Sequence, residues 1–132
     1  MNLQPVFNLS TAQSQADDAY TAGRALGKLL LQTPEYCAFL DALKALNSDR
    51  TIQKLSAEMR PHQSALQWGD DTDGQHVAEM ARLELVMENL SAVKKYRQAE
   101  REVRGLFLGV DEIISREAGV NFAANAKRSC CG

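Results

Sequence analysis

The sequence predicts an all-α protein, four to five amphipathic helices in an antiparallel helical bundle followed by a mobile C-terminal tail. Three observations predict it. Proline and glycine are scarce, 3 and 8 in 132 residues, while Leu, Ala, Glu, Gln, Lys and Arg, all good helix formers, dominate. Runs of β-branched residues are missing. Apolar residues recur at three- and four-residue steps along successive stretches, the spacing of one helix face.

The length suits one domain able to bury a core, with 45% hydrophobic and 24% charged residues, an ordinary globular balance. Fifteen Lys and Arg face seventeen Asp and Glu, a net charge of -2. Any attraction to nucleic acid or anionic membrane must therefore come from a local patch. No uninterrupted apolar run of about 18 residues occurs, and the first residues lack the basic and apolar regions of a secretory signal. Three cysteines, two of them adjacent at Cys130 and Cys131, make a poor disulfide framework and suit a reducing compartment. These features predict a cytoplasmic protein.

After an irregular lead-in with Pro5 and Asn8, a first helix is expected from Ser10 or Thr11, with Ala19, Ala22, Leu26, Leu29 and Leu30 at helical spacing. Gly23 and Gly27 inside it read either as tolerated surface positions or as sites of close helix approach. Thr33-Pro34-Glu35 is a strong helix start: a capping hydroxyl, a proline suited to the first turn, and an acid at the positive end of the dipole. The second helix buries Tyr36, Phe39, Leu40, Leu43 and Leu46. Asn47-Ser48-Asp49 ends it and caps a third, whose face carries Ile52, Leu55, Met59 and Leu66. Pro61 predicts a kink or break there, near Arg60.

Gly69-Asp70-Asp71-Thr72-Asp73-Gly74 is a polar turn. A fourth helix follows with Met80, Leu83, Met87 and Leu90, and Ser91 is expected to cap a fifth. That helix has the broadest apolar face: Val93, Tyr96, Val103, Leu106, Phe107, Val110, Ile113 and Ile114, up to a glycine cap at Gly119. Val120-Asn121-Phe122 is expected to fold back as an apolar lid. Residues 1–122 thus form one domain and 123–132 a flexible cysteine-bearing tail.

Groups able to carry chemistry are few. Glu58, His62, His76 and Glu79 can approach one another if helices three and four form a hairpin, and such ligands suit zinc or iron. Their spacing matches neither the paired Glu-x-x-His of di-iron bundles nor the His-Glu-x-x-His of zinc proteases, so they read as solvated histidines near a turn. Asp70, Asp71 and Asp73 lack the remaining ligands of a calcium loop. No phosphate loop, nucleotide fingerprint or nucleophile elbow occurs. The expectation is a protein that binds rather than an enzyme.

Lys94, Arg97, Arg101 and Arg104 share a flank of the fifth helix. They read as a solvated face with Glu100 paired to Arg104, or as a basic stripe for an acidic partner or RNA phosphates. No aromatic platform interleaves them, so direct base recognition is not expected. Cys130 and Cys131, beside Lys127 and Arg128, have surroundings that favour thiolates, and read either as an inert tail or as a metal or redox site. Three thiols cannot fill a four-thiolate iron–sulfur site in one chain. Metal on Cys130 and Cys131 would be shared with another chain, and no cofactor is expected in the isolated one. Cys37 reads as a structural thiol.

From about Ala16 to Phe122 the chain resembles the YlbF/YmcA family of small bacterial helical proteins. The resemblance lies in the order and spacing of an Ala- and Leu-rich first helix, Thr33-Pro34-Glu35-Tyr36-Cys37-Ala38-Phe39-Leu40, the cap Asp49, Val93-x-x-Tyr96-x-x-Ala99-Glu100, the apolar helix to Ile113-Ile114, and Gly119-Val120-x-Phe122. It implies a regulatory adaptor that self-associates, as a homodimer or higher, or pairs with homologous helical or YaaT-like proteins. It further implies modulation of ribonuclease Y, hence of RNA processing and development, and an iron–sulfur cluster in such a complex. Cys130 and Cys131 look like a shortened form of the cysteine-bearing tails of some members. Rival readings are a metal, iron–sulfur or redox-responsive protein using these thiols, and an RNA-binding module using the basic flank. No membrane partner is expected.

Overall fold

The computed structural model describes residues 9–126, with side chains described from Ala12 onward. The described chain forms α1 (Leu9–Leu31), α2 (Pro34–Ser48), α3 (Arg50–Gln67), α4 (Gln75–Glu88), α5 (Ser91–Ala118) and a single-turn α6 (Phe122–Ala126), with no strand among the described residues. The all-α expectation holds, with one short helix more than anticipated. Residues 1–8 and 127–132, including Cys130 and Cys131, lie outside the described residues.

Two antiparallel pairs organise the chain. In α2 and α5, Tyr36 stacks at 6.2 Å from Phe107 and Phe39 at 5.7 Å from Tyr96; the partner number falls as the first rises, which fixes the direction. Such tilted aromatic pairs add stabilisation beyond their buried area. In the second pair, Met59, Met80 and Leu83 form a core to which Leu55, Leu66 and Met87 add their half-buried side chains. The α3–α4 turn is tight because Gly69 and Gly74 both take positive φ, 76° and 71°, a region that penalises any residue with a Cβ.

The caps explain where the helices change direction. Asp49 ends α2, and its Oδ1 accepts from the Thr51 and Ile52 amides at 2.8 and 3.1 Å, satisfying two orphan donors of α3. Thr33 caps α2 as expected, through a longer 3.4 Å bond from the Tyr36 amide. Asp49→Ala should therefore cost about 1 kcal/mol of stability, read as a lower urea midpoint at unchanged m-value. Ser91 does not cap α5: it is the first helical residue, and Leu90 holds the cap position with no side-chain hydrogen bond.

Pro61 does not break α3, which runs from Arg50 to Gln67 through it. The proline removes the hydrogen bond to the Ala57 carbonyl, a defect costing about 3 kcal/mol in a helix interior. Packing offsets it. Leu55 and Met59 before the proline, and Leu66 after it, belong to the same cluster with α4, so both halves are held in one line.

Gly119, at φ 69°, closes α5 as anticipated. The chain then folds back: the Phe122 amide donates to Ser115 Oγ at 2.9 Å and the Ala123 amide to Asp111 Oδ1 at 3.1 Å. The lid is therefore the start of α6, and Ala123–Ala126 are helical rather than part of a loose tail.

The core is thin for the length. Buried apolar residues are Ile52, Met59, Met80, Leu83, Val93, Ala99 and Val103. The chain exposes 10801 Å², whereas a compact monomer of this length exposes about 6,900 Å². Residues 1–8 and 127–132, even at full unfolded exposure, supply only about 2,200 Å² of that excess.

Candidate functional site

Exposed large apolar side chains include Tyr20, Leu29 and Leu31 on α1, Leu108 and Ile113 on α5 and Phe122 on α6, with further ones on α2, α4 and at the end of α3. Every described side chain of α1 from Ala12 to Ala25 is exposed, and only Leu26 and Leu30 are half-buried. A 23-residue helix reaches about 35 Å, and helical stability comes mainly from packing of an apolar face rather than from propensity. The backbone of α1 comes close only to that of α2, while Leu26 and Leu30 face α5 and α6 across a cleft. Leu29 and Leu31 are 62% and 55% exposed, Leu108 and Ile113 on α5 62% and 54%.

Between these helices lies an almost wholly apolar cleft of about 290 Å³, lined by Leu26, Leu30, Phe107, Val110, Ile114 and Phe122. A second trench, about 580 Å³, runs along α2 and α5. Its floor is alanine, Ala38, Ala42 and Ala45 facing Ala92 and Ala99, and its rim carries Asp41, Lys95 and Glu102. Small side chains let a further backbone approach closely, and the charged rim can orient it.

The apolar residues expected to form core or interface range from buried to exposed. Val103 is buried; Tyr36, Phe39, Leu43, Tyr96, Leu106, Val110 and Ile114 are half-buried; Leu40, Phe107 and Ile113 are exposed. Ala99 stood in the sequence only as part of the family motif and not as a core residue, yet it is 6% exposed; a search for large apolar residues does not see such a spacer. Sequence reasoning missed the outward apolar positions of α4, Val77 and Leu85, and Trp68 at the end of α3.

The basic flank is partly neutralised. Arg97 donates to Glu88 at 2.9 Å and lies 3.6 Å from Glu100, which also pairs with Arg104 at 3.5 Å. The hydrogen bond and charge of Glu88 hold the Arg97 guanidinium above its ordinary range. Arg101 donates to Gln98 Oε1 at 2.6 Å, and Lys94 is exposed. Of these exposed pairs only Arg97–Glu88 joins α4 to α5, and such pairs contribute little stability.

His62 and His76 meet at the tip of the α3–α4 hairpin, Nδ1 to Nδ1 at 2.9 Å. Glu79 lines the same depression but is forked onto Arg82, whose hydrogen bonds hold its carboxyl below the usual carboxylate range. Glu58 is not part of that lining. Cys37 is exposed, its Sγ 3.6 Å from the Leu31 carbonyl, not the structural thiol expected. It is the one free thiol among the described residues, so they do not form a four-thiolate cluster site.

The described residues thus form two antiparallel helix pairs with a sparsely packed first helix and an apolar cleft beside it. The chain belongs to the YlbF/YmcA family: the model described as control of competence regulator ComK, YlbF/YmcA, matches residues 19–117. The match starts within α1 and ends one residue short of the end of α5. No curated protein and no solved structure gives a significant match. No described helix is long and apolar enough to cross a membrane.

Proposed function

We propose that this chain is a non-catalytic regulatory adaptor that self-associates and binds homologous helical or YaaT-like proteins, and through them modulates ribonuclease Y-linked RNA processing. Membership of a regulatory family supports the regulatory part. The observation that carries the binding part is the uncovered apolar surface of α1, α5 and α6, with its cleft between Leu26, Leu30, Phe107 and Phe122. A monomer gains nothing from leaving such a surface in water, whereas a partner that covers it gains roughly 25 cal/mol per Å² before the costs of association.

Sedimentation equilibrium of the purified chain, from about 1 μM upward, tests self-association against the usual affinity range of weak to stable dimers. A single monomeric mass at every concentration, together with no binding to purified ribonuclease Y or to YaaT-like and homologous helical proteins, would remove the reading.

A further inference from the structure

α1 spends most of its length in water. Its side chains from Ala12 to Ala25 are exposed, and a Cβ placed on Gly23 or Gly27 would meet nothing within 4 Å. A helix draws its stability mainly from a covered apolar face, and the described chain does not cover this one. The helix nevertheless carries a regular seam. Ala12, Ala16, Ala19, Gly23, Leu26 and Leu30 recur at alternating four- and three-residue steps, the spacing that keeps one edge of a helix against a second helix.

The seam is self-complementary when reversed. Run antiparallel and centred on Thr21, it sets Ala12 opposite the partner's Leu30, Ala16 opposite the partner's Leu26 and Ala19 opposite the partner's Gly23. Each leucine then meets an alanine, and the middle of the seam is small on both sides. Charge selects the same direction. Asp17 and Arg24 lie two turns apart on one flank of the seam. Reversal brings Asp17 to the level of the partner's Arg24, whereas a parallel pair sets acid beside acid and base beside base.

We infer that α1 pairs antiparallel with α1 of a second copy of this chain, along this seam and in this register. The pairing rests on the self-association proposed above and names its helix, direction and alignment. It is isologous, each contact occurring twice about a two-fold axis. Leu26 and Leu30 line the apolar cleft with Phe107, Val110 and Phe122, and the reversal delivers the partner's Ala16 and Ala12 there, small enough for its roughly 290 Å³. The surface available is of dimer size. Beyond the allowance for residues outside the described range, the chain exposes about 1,700 Å² more than a compact monomer. Two copies together offer about 3,400 Å², within the roughly 2,000–5,000 Å² that obligate homodimers bury.

Disulfide mapping tests the register, on the full chain with Cys37, Cys130 and Cys131 changed to Ser. Chains carrying Ala19→Cys are mixed with chains carrying Gly23→Cys, oxidised, and the products identified by mass. The reversal stands 19 opposite 23 and displaces like positions by about 6 Å along the axis. Because a disulfide needs Cα atoms within about 7 Å, the mixed product should exceed either like-with-like product about tenfold. Both positions are exposed in the chain alone, so neither substitution threatens the fold. Sedimentation equilibrium of the reduced chains separates the two ways of failing. A dimer without that excess of mixed product overturns the α1 pairing and leaves self-association standing. A single monomeric mass at every concentration overturns both, and a different protein then covers α1.

Discussion

Leu83→Ala is expected to destabilise the folded chain by about 3 kcal/mol, the loss typical of a fully buried leucine truncated in a core. Leu83 is 1% exposed and sits among Met59, Met80, Leu55, Leu66 and Met87. Three of these neighbours are methionines, whose flexible side chains can relax into part of the cavity. That keeps the expected loss near the lower end of the observed range for such substitutions. Total stabilities of single domains are only about 5–15 kcal/mol, so the loss is a large fraction of the whole. Calorimetry should show the midpoint falling by roughly 10 °C. A change under about 1 kcal/mol would mean that the methionine–leucine cluster does not hold the hairpin together.

Leu29→Glu and Ile113→Glu, made singly, should weaken self-association about tenfold or more while leaving the monomer's helicity unchanged. Both side chains are more than half exposed in the chain alone, so a carboxylate there stays solvated and costs the monomer little. At a covered apolar face the same carboxylate must shed water without a partner, which is strongly unfavourable. Sedimentation equilibrium measures the first effect and far-ultraviolet circular dichroism controls for the second. If neither substitution shifts the dissociation constant, self-association runs through another face, with Val77, Leu85 and Trp68 the next exposed apolar positions to change.

The helices and most of their ends were legible because their signals are local. Thr33-Pro34, Asp49 and Gly119 act within one turn of themselves, and each sits where that chemistry places it. Pro61 misled because a local rule was overruled from a distance: Leu55, Met59 and Leu66 pack on α4 from both sides of the proline. Ser91 misled by a single residue, since Leu90 occupies the cap position.

The candidate surface was half legible. Periodicity finds the apolar face of α5 but cannot divide it between core and exposed positions, so Val103 and Ile113 look alike until the register of α2 is known. The histidine pair is not fixed by sequence, because a separation of 14 residues determines neither ring's direction. Asp71, which anchors the backbone at His76, looked like no more than a turn acid.

The order of pairing along the chain has a kinetic consequence. α3 and α4 meet across a turn of a few residues, whereas Tyr36 and Phe107 join positions about 70 residues apart, a loop whose closure entropy must be met first. The hairpin is in effect an insert within the α2–α5 pair. It can form early from nearby contacts, and once formed it shortens the effective chain that α2 and α5 must close. Substitutions in the hairpin core, such as Leu83→Ala, should then slow refolding, while substitutions in the Tyr36–Phe107 contact should mainly speed unfolding. A pair of chevron plots would display this division of labour, with the turn at Gly69–Gly74 as the point where the fold begins.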